Sequence, residues 1–68
     1  MIVFPIPTLY VGMKFTSRFI KEVITVIDFT DITLRVNIFR GGDNDHDEDW
    51  DMLNTLWGFE RGDYILLP

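Results

Sequence analysis

Six carboxylates fall within the nine residues from Asp43 to Asp51, in company with His46 and Trp50. Side chains of this type and density can chelate a hard cation, exchange protons as a pair, or present negative charge to a basic surface. The first use demands a spacing that is absent. Asp43, Asp45 and Asp47 match the first, third and fifth ligands of a twelve-residue calcium loop, but Glu48 stands where the sharp turn takes glycine, and Asn54 where a bidentate glutamate closes the cage. What is left is a weak divalent-cation-binding loop. The second use lacks a frame. Ser17 and His46 are the only serine and histidine, with nothing to align them into a nucleophile and base. Paired carboxylates need a cleft between them, for which 68 residues leave little room. The expectation is a non-enzyme with no catalytic residue, cofactor or metal centre.

The third use fits the charge distribution. Residues 1–40 carry five cations and three anions, whereas residues 41–68 carry Arg61 alone against eight anions, within a total of −5. Such asymmetry speaks of partners rather than fold. An acidic face repels phosphate backbones, so the expected partner is a protein with a basic surface and not a nucleic acid. Asp43, Asp45, Asp47, Glu48, Asp49, Trp50 and Asp51 form the candidate partner-binding set, with Trp50 as its anchor, since tryptophan is favoured at interface centres. The plain alternative is a solvated helix start. Carboxylates there favour the helix dipole, and Asp45 with Glu48, or Asp47 alone, would serve as cap. One or two acids satisfy that need.

The elements that must carry this run read as mainly β. Pro5 and Pro7 keep the first eight residues extended. Leu9, Val11, Met13 and Phe15 alternate with Tyr10, Gly12, Lys14 and Thr16, the pattern of a half-buried strand, with a turn at residues 16–18. Residues 19–40 read as a long hairpin turning at Thr30-Asp31. That register pairs Phe29 with Ile32, Ile27 with Leu34, Thr25 with Val36 and Val23 with Ile38 on a core face. Gly41-Gly42 then ends the strand. Trp50, Leu53 and Trp57, with Met52 and Leu56, predict a short amphipathic helix over roughly residues 48–57. Its C-cap falls at Gly58, and Leu53 and Trp57 are expected in the core. Arg61-Gly62-Asp63 turns into a last strand, Tyr64 to Leu67.

VGMKF, VITVIDF, ITLRVNIF and RGDYILL in this order resemble an SH3-like barrel over residues 9–67. The chain is also similar to short phage-encoded proteins of that build. The resemblance implies a small α+β fold, a curled antiparallel sheet with one short helix before the last strand. It further implies a phage- or mobile-element-encoded inhibitor of the anti-CRISPR or anti-restriction type, a DNA mimic for a basic nucleic-acid-binding site on a host protein. The rival is a homo-oligomeric structural or accessory phage protein. Its interface would be the hairpin's outer face, where Ile20, Ile24, Val26 and Phe39 are left without cover.

One domain is expected from the length, and no membrane association. The apolar N-terminal stretch is broken by prolines, too short to span, and has no basic residue before it. With no cysteine in the chain, a cytoplasmic location in the host cell is expected.

Overall fold

The computed structural model describes residues 3–41 and 45–68. Five strands and one helix follow one another: β1 (Lys14–Ser17), β2 (Val23–Phe29), β3 (Thr33–Phe39), β4 (His46–Asp51), α1 (Met52–Arg61) and β5 (Tyr64–Leu66). All neighbouring strands are antiparallel, in the order β4-β3-β2-β1-β5. The mainly β class, the curled antiparallel sheet and the short helix before the last strand are as expected from the sequence. β4 and β5 lie at opposite ends of the sheet and are not hydrogen-bonded to each other, so the sheet curls without closing into the SH3-like barrel that the resemblance implied. Side chains bridge the gap instead. Trp50 of β4 stacks on Tyr64 of β5 with ring centroids 5.8 Å apart.

The concave face holds the core. Met13, Phe15, Ile24, Val26, Leu34, Val36 and Ile38 are almost wholly buried, and Met52 and Phe59 of α1 close over them. Each such side chain contributes about 1.5–3 kcal/mol relative to exposure, and a chain this short has few other sources of stability.

The hairpin register differs from the expected one. Val26 pairs with Val36, Ile24 with Ile38, and Phe29 with Leu34, with a register shift at Ile27 between Val26 and Asp28. Pairing is therefore displaced by one residue along the body of the hairpin and by two near its tip. The turn explains this. The Thr30 N–H donates to the Thr33 carbonyl, and Thr30 Oγ1 accepts from the Ile32 and Thr33 N–H groups. The reversal thus centres on Asp31-Ile32, one residue later than the sequence pattern placed it. Because side chains alternate with a period of two, a one-residue slip exchanges the faces of β2. Ile24 and Val26, expected on an outer association surface, are 0% and 1% exposed. Of that expected patch, Ile20 and Phe39 remain at the surface.

The first strand is also shorter than expected. Gly12 adopts a left-handed φ of 93°, and the Met13 N–H bonds back to the Tyr10 carbonyl. This turn breaks the alternation, so Met13 and Phe15 point inward while Val11 is exposed. Thr16 and Ser17 belong to β1, and the chain turns after them, where Ser17 Oγ accepts from the Phe19 and Ile20 N–H groups.

Candidate functional site: an acidic edge strand

From His46 to Asp51 the acid run forms a strand rather than a loop or a helix start. Aspartate has poor strand propensity, so cross-strand partners must compensate. β3 supplies them. Arg35 opposes Asp49, Asn37 opposes Asp47 and Thr33 opposes Asp51. Arg35 Nε and Nη2 donate to the two Asp49 carboxylate oxygens at 2.9 and 3.3 Å, a forked pair. Asn37 Nδ2 donates to Asp47 at 3.0 Å. The Arg35 guanidinium holds the Asp49 carboxyl below its ordinary range, and Asp49 in turn raises the arginine.

Alternation sends the other side chains to the opposite face. His46, Glu48 and Trp50 oppose Ile38, Val36 and Leu34, which are buried. They form a hydrogen-bonded row. Trp50 Nε1 donates to Glu48 Oε1 at 2.9 Å, and His46 Nε2 lies 2.6 Å from Glu48 Oε2. The indole bond first, and the histidine second, hold the Glu48 carboxyl below its usual value. The Trp50 ring meets Phe15 edge-on at 6.3 Å and is half-buried against the core. Trp50 is thus a core-edge residue tied down by Glu48, not a free anchor.

Asp51 ends the strand and starts the helix. Its carboxylate accepts from the Asn54 N–H at 2.9 Å, an N-cap. The cap expected at Asp45 or Asp47 is thus displaced. The first turn of α1 holds no acid, so the run does not serve the helix dipole beyond this one residue. α1 spans residues 52–61, one turn later than the periodicity placed it, and its C-cap is Gly62, at φ 84°. Gly58, expected as the cap, lies inside the helix, where a Cβ would collide with the Tyr64 ring. Packing Gly58 against Tyr64 turns Leu53 and Trp57 outward, and they are 52% and 48% exposed. The expected core pair is therefore a surface pair, with Met52, Thr55 and Phe59 facing in.

Of the predicted partner-binding set, Asp45, Asp47, Glu48, Asp49 and Asp51 are exposed on one continuous edge. Asp43 lies outside the described residues. Because alternate carboxylates leave the strand on opposite faces, they do not converge on a point. Among the described residues, no three His, Asp or Glu side chains are grouped to hold a metal ion. Among the same residues, no helix is long and apolar enough to cross a membrane. Sequence reasoning missed Arg35 and Asn37 as members of this surface. Their alternation on β3 with buried Leu34, Val36 and Ile38 is the signal that could have found them.

The chain matches no family model, and neither the curated proteins nor the solved structures give a match.

Proposed function

We propose that this protein is a non-catalytic, acidic interaction module whose β4 edge occupies a basic, nucleic-acid-binding surface on another protein. The observation that carries this reading is charge density along a free strand edge. Residues 45–51 hold five carboxylates, all exposed, over about 20 Å of extended chain. That is one charge per roughly 4–5 Å, near the 3.4 Å axial spacing of charges on one DNA strand. Arg35 offsets only one of them, through Asp49. Carboxylates then stand in for phosphates, and salt screens the attraction within about 8 Å at physiological ionic strength. An inhibitor from a phage or mobile element, acting on a host defence or nucleic-acid-processing protein in the cytoplasm, is the setting that suits such mimicry.

The test uses a variant that removes charge without removing the helix cap: Asp45→Asn, Asp47→Asn and Asp49→Asn together. Immobilised wild-type chain should capture basic proteins that duplex DNA and added salt both release. The triple variant should lose this capture while remaining folded. Capture that survives in the triple variant, or that duplex DNA does not compete away, overturns the proposal.

A further inference from the structure

The opposite edge of the sheet has a different chemistry. An open groove of about 380 Å³ runs between the extended N-terminal segment and β5. Phe4, Pro5, Phe59, Tyr64, Ile65 and Leu66 line it, with Arg18 as its one charged group. Its volume lies in the lower part of the range for small-molecule sites, about 300–1,000 Å³, and such sites are mostly apolar with a few orienting polar groups. The N-terminal wall is pinned in place. The Phe4 N–H donates to the Glu60 carbonyl at 3.0 Å, and the Phe4 ring lies over Gly62, where a Cβ would come within 2.6 Å of it.

Arg18 gives the groove its sign. Arg35, Arg40 and Arg61 are in ion pairs with Asp49, Glu22 and Asp63, and among the described residues Arg18 is the one arginine that is not. In a chain of net charge −5, an exposed guanidinium beside an apolar trough is matched by an anion carrying an apolar tail. The planar fork suits a carboxylate, which it binds through two parallel hydrogen bonds. A trough between two extended segments admits a linear tail along its length.

We propose that this groove binds an aliphatic carboxylate, with its chain along Phe59, Tyr64, Ile65 and Leu66 and its head group on Arg18. This site lies away from the acidic edge and does not depend on the function proposed there. The probe is dodecanoate below its micellar concentration, titrated into isotope-labelled protein and followed by NMR. Saturable shifts at Phe59 and residues 62–66 are expected. Dodecyltrimethylammonium, with the same tail and the opposite charge, should bind at least about tenfold more weakly, as loss of a charged hydrogen bond implies. Arg18→Gln should reduce dodecanoate affinity by a similar factor and leave dodecanol unaffected, and Arg18→Lys should restore part of the loss. Equal binding of the cationic and anionic amphiphiles, or an Arg18→Gln variant that binds dodecanoate normally, overturns the proposal. So does a groove covered by a second copy of the chain, seen as a dimer by light scattering that dodecanoate does not perturb.

Discussion

The sheet ends in two unlike strands. β4 is six residues long and carries charge on both faces, whereas β5 is three residues long with no charged residue of its own. Both are edges, and an edge offers unpaired backbone groups to any passing strand. The long edge is defended by carboxylates, which repel a second copy of themselves. The short edge is limited by its length and flanked by the pinned N-terminal segment. Protection against self-pairing and the partner binding proposed above would both fall to the same side chains on β4, and measurements must separate them.

The comparison breaks most completely at the residue both edges share. Phe15 is 0% exposed and contacts Trp50 of β4 and Tyr64 of β5. Phe15→Ala should cost about 3–5 kcal/mol, comparable with the total stability of a domain this size. Loss of a cooperative urea transition is expected, and a near wild-type midpoint would show that the edges do not share a core. Next, Gly62→Ala should cost more than about 1 kcal/mol, because the position has a positive φ and the Phe4 ring leaves no room. It should perturb the β5 side and spare the amides of β4.

On the other side, Asp51→Ala removes the cap of α1 and should cost about 1 kcal/mol by denaturant unfolding. The asparagine triple variant described above should change stability by less than that. It should, however, raise aggregation in light scattering at high protein concentration, since the edge loses its repulsion. Unchanged solubility would leave partner binding as the better account of the charge. Acid should act on β4 as well. Glu48 and Asp49 have lowered values in the folded state. Their contribution is present above the ordinary carboxylate range near pH 4 and fades as pH falls through the lower folded values. Replacing both with the neutral amides should flatten the pH dependence of the melting temperature in that window. The smallest effect is expected at Trp57→Ala, within about 0.5 kcal/mol, as for an exposed position.

The hairpin strands β2 and β3 were legible because Val, Ile and Phe alternate within them, and the strand-hairpin-helix-strand order followed from punctuation by glycine and proline. The register was not. Thr30, Asp31 and Ile32 contain no residue that dictates a turn type, and a hydrogen-bonding Thr30 hydroxyl moved the reversal by one position. The inward face of β2 moved with it. The helix was displaced because apolar periodicity gives no weight to glycine. Trp57 and Leu53 look like core by spacing, but the ring of Tyr64 seats on Gly58 and fixes the rotation of α1. As for the acid run, composition argued against a strand. The cross-strand positions of Arg35 and Asn37 support one, and pairing partners cannot be read from the run itself.

The order β4-β3-β2-β1-β5 also sets a timetable. β2, β3 and β4 pair with neighbours in sequence, but β1 must wait for β5, which is about fifty residues further along the chain. Non-local closure of this kind is slow relative to hairpin formation. During synthesis, the outer edge of β1 and the side of Phe15 that meets Tyr64 stay uncovered until Tyr64 to Leu66 have left the ribosome. That interval is the chain's most vulnerable to misassociation. By then the carboxylates of β4 have already emerged, so charge repulsion between nascent copies is in place before the last apolar surface is closed.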